Sequence, residues 1–237
     1  MGRMVLAPEV LKTQPGDYYG KTSGVGQLMD ARDATPSRVG VIGLGAGVMA
    51  AYAREGDHFT FFEINPQSAE VAHAQFSYLA NAKGRVDLTP GDARIELQKQ
   101  LAAGQGSSFD ALVVDAFSGD AIPVHLLTKE AFTLYLSHLR PDGVLAIHIS
   151  NKYLDLRTVV SALAESLGAQ ALAFSSKATE GHEFSSIWVV LVRDGNVHRA
   201  RAWYSEDQLL PKPPGDSHRY LWTDLNNNLF DVLLLGR

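Results

Sequence analysis

The chain contains no cysteine. That absence excludes a disulfide framework, a thiolate nucleophile and a zinc–thiolate site together. No apolar run approaches the ~20 residues that span a bilayer. The opening stretch, MGRMVLAPEV, is too short and too polar for a signal peptide. No basic tract stands out and the formal charge is −5, so nucleic acid is not an expected partner and small cations suit the surface better. The eight histidines are scattered, with no His-x-x-x-His pair, so no metal site is expected. Ser118 and Ser150 lack the setting of a nucleophile elbow, which argues against hydrolase chemistry. These absences leave a cytoplasmic domain of enzyme size with no membrane segment.

What the chain does have is alternation. Of its 237 residues, 46% are hydrophobic and 20% charged, enough for one globular core without staples. Apolar runs of β type alternate with segments of helical period. RVGVIGL (38–44), HFTFFEI (58–64), RVDLTP (85–90), FDALVVD (109–115) and GVLAIHIS (143–150) read as strands. Helical segments lie between them, at 46–54, at 65–80 with Asn65 as N-cap and Pro66 at the first position, at 92–103, and at 128–139. A helix at 156–167 follows, closed by Gly168, and strands are expected at 170–175 and 186–193. No Asn-Gly or Asp-Gly turn joins the first five strands, so crossover helices should join them in parallel. The expected fold is α/β: a doubly wound, mostly parallel seven-stranded sheet with helices on both faces, Rossmann-like. Residues 38–195 would form the nucleoside-binding catalytic domain. Residues 1–37 would be an N-terminal segment placed to cover the cleft, and 196–237 an extension packing on the domain or on a partner. Its apolar end, LFDVLLL, would serve a homodimer as readily as its own sheet.

Open parallel sheets bind ligands at the carboxyl ends of their strands, and the informative residues sit there. Gly43, Gly45 and Gly47 in GLGAG follow the first strand and open a helix. The dinucleotide fingerprint would need a third glycine at Val48, so the loop fits nucleoside-binding methyltransferase-type sheets instead. Glu63 closes the second strand, 16 residues after Gly47, where a carboxylate can accept from both ribose hydroxyls. Asp92 and Ala93 in GDA follow the third strand. The Asp92 carboxylate can accept from an adenine amine and the Ala93 N–H can serve a ring nitrogen, although Asp92 also reads as a plain helix cap. Asp115 ends the fourth strand and can take a proton from an amine, and Asp120 can hold a second ammonium or cap the next turn. Tyr18, Tyr19 and Gln27 in DYYGKTSGVGQ are candidates to face the cleft, with Tyr19 and Gln27 as substrate contacts. Ser118 and His125 are two more. His148 reads either as a cleft residue or as a satisfied strand-end histidine. Trp188, Trp203 and Trp222 read as packing residues.

The stretches VGVIGLGAG, FFEINP, GDARIEL, FDALVVDAFSGDAIPVHLLTKEAF and LRPDGVLAIHI resemble the spermidine synthase (polyamine aminopropyltransferase) family, within class I S-adenosylmethionine-dependent methyltransferase-like folds. The resemblance covers roughly residues 38–193. It implies Asp115 as the catalytic aspartate, Glu63 as the ribose-binding acid and Asp92 as the adenine-contacting one. It implies decarboxylated S-adenosylmethionine as co-substrate, a small-molecule amine as acceptor and no metal. The chain departs from the family at three places. Ala46 stands where the family carries the acid that contacts the donor's amine, Ser118 stands at the second aspartate with Asp120 displaced by two, and the N-terminal β-hairpin domain is missing or reduced. Loss of those acids leaves room for S-adenosylmethionine itself. The alternatives are therefore a methyltransferase or other sulfonium-dependent transferase on a small amine, and a non-catalytic module that binds adenosyl metabolites.

Overall fold

A computed structural model describes residues 14–116, 123–177, 184–213 and 217–234. The strands are β1 (Arg38–Ile42), β2 (His58–Glu63), β3 (Arg85–Pro90), β4 (Phe109–Val114), β5 (Leu139–His148), β6 (Ala169–Ser176), β7 (Ser186–Arg193) and β8 (Leu209–Leu210). The helices are α1 (Gly24–Asp30), α2 (Pro66–Gln75), α3 (Ala93–Ala102), α4 (Lys129–His138), α5 (Arg157–Ser166) and α6 (Val197–Arg201). The strands form one sheet in the order β3-β2-β1-β4-β5-β7-β6-β8. As the absence of hairpin turns implies, β1 to β5 pair in parallel, while β7 runs antiparallel to β5 and β6.

The sheet has eight strands, not seven. The extra one, β8, lies in the C-terminal stretch and pairs antiparallel with β6 through Leu209 and Leu210. Two residues are too few to show a period, which is why the sequence carries no sign of it. Strand β5 also starts earlier than expected. It runs through Pro141, Asp142 and Gly143, with a register shift opposite Phe109 and Ala111. Among the described residues no helix is long and apolar enough to cross a membrane.

Alternating side chains feed two separate cores, one on each face. Leu112 and Val114 join Ile42, Phe62, Leu145 and Ile147 in one core, packed under Leu97, Phe132 and Val159. Ala111 and Val113 join Val39, Val41, Phe59 and Phe61 in the other, with Val25, Leu28 and Met29 of α1. The near-continuous apolar strands are thus explained by burial on both sides. Polar caps set the helix starts. Asn65 accepts from the Gln67 N–H at 3.0 Å, Asp92 from the Arg94 and Ile95 N–H groups at 2.9 and 3.2 Å, and Thr128 from Ala131 at 3.3 Å.

The helix expected over residues 46–54 is a short 3₁₀ helix instead, Val48–Tyr52. Gly47 begins it in the left-handed region (φ +77°) and Ala53 ends it in extended conformation. Five residues between those fixed points close only i→i+3 bonds, Ala50 to Gly47 at 2.9 Å and Ala53 to Ala50 at 3.0 Å. Helix α2 stops at Gln75, where Phe76 turns extended and lets Tyr78 into the core, 1% exposed.

Candidate active site at the carboxyl ends of the strands

The order β2-β1-β4 makes the end of β1 the point where the winding reverses, the position at which such sheets hold ligands. Ile42 pairs with Phe62 on one side and Val114 on the other. Glu63 and Asp115 are the next residues of β2 and β4, so they flank the glycine loop two strand spacings apart, roughly 10 Å. Asp92 follows β3 by two residues, beyond Glu63's partner Pro90.

The loop needs its glycines for different reasons. Gly43 has φ +97°, and a Cβ there would meet the Asp115 carbonyl oxygen at 2.4 Å and the Ala116 Cα at 3.2 Å. Its N–H donates to the Phe62 carbonyl at 2.9 Å, so the backbones of β1, β2 and β4 meet at this residue. Gly45 (φ +54°) has only the Tyr19 hydroxyl near its Cβ position, at 4.0 Å. Gly43→Ala should therefore cost more than the ~1–3 kcal/mol of left-handed strain alone and should displace Asp115. Gly45→Ala should cost only the left-handed strain, about 1–2 kcal/mol. Thermal unfolding of the two variants side by side checks the difference, and equal losses would overturn it.

Glu63 braces this loop. Its Oε2 accepts from the Leu44 N–H at 3.0 Å and its Oε1 from Asn65 at 2.8 Å. Each oxygen keeps a lone pair for a hydroxyl. Asp92 caps α3 with Oδ1 and meets His125 Nε2 with Oδ2 at 3.0 Å. Ala93, 6% exposed, is the first residue of α3.

Asp115 has both oxygens engaged. The Tyr19 hydroxyl donates to Oδ2, and His148 Nδ1 lies 2.7 Å from Oδ1. Tyr19 reaches across from the N-terminal segment, held by the Tyr52 hydroxyl on its carbonyl at 2.5 Å. Burial, then the Asp115 charge, push the Tyr19 hydroxyl well above its ordinary pKa, so it stays a proton donor. Gln27 is turned elsewhere. Its amide donates to the Thr22 carbonyl at 2.8 Å and to the Gln208 side chain at 2.9 Å. Asp120 and Ser118 lie outside the described residues.

No family model matches the chain. A polyamine aminopropyltransferase from Vibrio vulnificus is 33% identical over 113 residues, which cover 46% of this chain and 36% of that protein. An N-terminal histidine N-methyltransferase from Emericella nidulans is 33% identical over 128 residues, 51% of this chain and 22% of that protein. A probable spermidine synthase from Corynebacterium glutamicum, solved as a crystal structure, superposes with a TM-score of 0.56 at 22% identity over 72% of this chain and 61% of that one. The fold is spermidine synthase-like, of the class I S-adenosylmethionine-dependent methyltransferase type. The chain spans well under half the length of the curated relatives it matches.

Within this spermidine synthase-like fold, several residues at the site carried little signal in the sequence. His148 ends β5 and sits against Asp115; its other nitrogen, Nε2, is 2.7 Å from Ser150 Oγ. Arg94 holds Asp224 of the C-terminal stretch through two bonds of 2.8 Å and also donates to the His125 carbonyl at 2.8 Å. Those Arg94 bonds, with a third from Thr128, outweigh partial burial and hold the Asp224 carboxyl down at about 2. Asp224 thereby ties the starts of α3 and α4 together beside Asp92. Only its separation of 130 residues from Arg94 hides the pair. Trp188 and Trp222 are buried packing residues, at 0% and 2% exposure. A cavity of about 440 Å³ opens at the opposite, amino-terminal edge of the sheet, lined by Arg38, Gln100, Ser107 and Arg140 among others. It contains none of the three strand-end carboxylates. Among the described residues, no three His, Asp or Glu side chains gather as a metal site would require.

Proposed function

We propose that this protein is a transferase that uses an adenosyl sulfonium as donor and a small amine as acceptor. Aminopropyl transfer from decarboxylated S-adenosylmethionine is the first reading. The observation that carries it is Asp115, a carboxylate oriented by Tyr19 and His148 at the end of β4 and packed through its backbone against Gly43. Glu63 and Asp92, at the ends of the next two strands on the far side of β1, supply acceptors for a ribose and an adenine amine. The likeness to a polyamine aminopropyltransferase supports the same reading.

The chemistry follows from the donor. The acceptor nitrogen must be neutral to attack, so its ammonium form gives a proton to Asp115. The nitrogen lone pair then forms a bond to the carbon next to sulfur. That carbon–sulfur bond breaks with its electron pair, and the sulfonium departs as a neutral thioether. Charge is lost rather than created at sulfur, so the protein's work is alignment and proton removal. Aminopropyl transfer would leave methylthioadenosine.

A second reading is methyl transfer from S-adenosylmethionine to a small amine, with S-adenosylhomocysteine as product. Ala46 favours it. The position is apolar and buried at 4% exposure, with no carboxylate to hold an aminopropyl ammonium or to repel a donor carboxylate. The likeness to a histidine N-methyltransferase points the same way.

Calorimetry with S-adenosylmethionine, its decarboxylated form and methylthioadenosine separates the readings, followed by product analysis with a panel of amines. Aminopropyl transfer predicts preference for the decarboxylated donor and release of methylthioadenosine. Preference for the carboxylated donor with S-adenosylhomocysteine as product selects methyl transfer. Binding of either donor without turnover on any amine leaves only a binding module. Failure of all three nucleosides to bind at millimolar concentration ends the proposal.

A further inference from the structure

His148 occupies a place that the proposed chemistry does not require. A histidine closing a buried strand needs only one polar partner to be satisfied, yet this one is held on both ring nitrogens and packs against two aromatic rings. Nδ1 is 2.7 Å from Asp115 Oδ1 and Nε2 is 2.7 Å from Ser150 Oγ. Its ring stacks on Trp188 with centroids 4.7 Å apart and planes 18° from parallel, and the Tyr18 ring lies 5.2 Å away. The His148 side chain is 5% exposed and that of Asp115 10%.

The partners of the two ring nitrogens together bear on which of them carries the proton. The Ile187 N–H donates to Ser150 Oγ at 2.8 Å. The hydroxyl keeps its own hydrogen free to donate to His148 Nε2. A bare Nε2 requires the ring proton on Nδ1, where it points at Asp115. The opposite tautomer would set the Nδ1 lone pair against a carboxylate oxygen. Every group in the chain from Ile187 N–H through Ser150 and His148 to Asp115 is then satisfied.

We propose that His148, set by Ser150, is a positioning residue for Asp115. It donates from Nδ1 and fixes the carboxylate's rotation, so that a free lone pair faces the acceptor amine. The proposal rests on reading Asp115 as the amine's base. Tyr19 completes the clamp from the other side. Among the described residues, the titratable groups around the histidine include Asp115 just past β4 and Tyr18 of the N-terminal segment, with Tyr19 and Asp17 beside them. Trp188 on β7 presents only its ring.

Two near-isosteric variants divide the two nitrogens. The amide nitrogen of Asn in His148→Asn falls near the position of Nδ1, and that of Gln in His148→Gln near Nε2. Turnover in His148→Gln should fall about ten- to a hundred-fold, the scale of a reacting group displaced by about 1 Å. The loss should be in kcat, with unchanged affinity for the nucleoside product. His148→Asn should recover most of it, and Ser150→Ala should lose a few-fold. Equal activity of the Asn and Gln variants, whether high or low, overturns the proposal, because a packing role against Trp188 would not distinguish them. A second measurement needs no turnover. ¹⁵N NMR of histidine-labelled wild type, with His148 assigned by its loss in His148→Asn, should show a protonated Nδ1 and a bare Nε2. The reverse tautomer overturns the proposal even if no adenosyl compound binds. Absence of nucleoside binding with the expected tautomer overturns the function while leaving the hydrogen-bonded chain intact.

Discussion

Asp115→Asn is expected to lower kcat by about 10²- to 10⁴-fold, the range that a positioned general base contributes, or about 3–5 kcal/mol of barrier. The substitution keeps size and shape. It removes the ability to take a proton, and it places an N–H₂ group where either Tyr19 or His148 also donates. The acceptor would then stay an ammonium with no lone pair to offer. Nucleoside affinity should change little, because Asp115 meets the donor's surroundings only through its backbone contact with Gly43. Calorimetry with methylthioadenosine or S-adenosylhomocysteine, run beside turnover on the same preparation, separates the two effects. A variant with wild-type turnover would remove Asp115 from the chemistry. One that loses binding as well would mean the side chain supports the loop rather than the reaction.

The placement of the carboxylates at strand ends was legible because each charge follows directly on an apolar run. Glu63 closes β2, Asp115 follows β4 and Asp92 lies two residues past β3, and register between neighbours brings those ends to one edge. His148 was half legible. A histidine at a strand end looks the same in sequence whether it bonds a backbone carbonyl or a strand-end aspartate, and only the antiparallel arrival of β7 brings Ile187 and Trp188 against it. Gln27 was the reverse case. Its place after a tyrosine pair suggested the cleft, but Gln208, 181 residues away, draws its amide off.

Among the folding elements, α3, α4 and α5 were read to within a residue or two, but α1 was not expected although Ser23 caps it, and α2 was read five residues too long. Elements shorter than a period, such as β8, or bounded by backbone conformation rather than side-chain pattern, such as the 3₁₀ turn after Gly47, were not read correctly. Tyr19 stands between these cases. The sequence offered it as one of several candidates, and burial beside Asp115 singles it out.

The amino-terminal edge of the same strands carries the second large prediction, and it concerns stability rather than chemistry. Asp57→Ala should cost about 3–5 kcal/mol, the usual consequence of removing one partner from a buried ion pair. For a chain of this size that is roughly 6–20 °C in Tm. Asp57 is 1% exposed and gathers four donors: the Ser37 N–H at 2.8 Å, the Arg54 N–H at 2.9 Å, Arg32 Nη1 at 3.0 Å and Arg54 Nε at 3.2 Å. Its carbonyl also receives the Arg85 N–H at 2.8 Å, so one residue ties the starts of β1, β2 and β3 together. Alanine would leave the Arg32 guanidinium, only 9% exposed, without its counter-charge.

The pH dependence of this prediction has a definite sign. Burial alone would raise the Asp57 pKa, but the Ser37 and Arg54 N–H groups, with the two guanidinium groups, outweigh it and hold the carboxyl below its ordinary value. A depressed folded-state pKa contributes stability that is complete above the unfolded value, about 3.9. That contribution is lost as the pH falls through the folded value. The gap in Tm between wild type and Asp57→Ala should therefore be full near pH 7 and narrow below about pH 4. A gap independent of pH would mean that the cavity, not the charge, sets the loss, and a gap that widened in acid would contradict the depressed pKa outright.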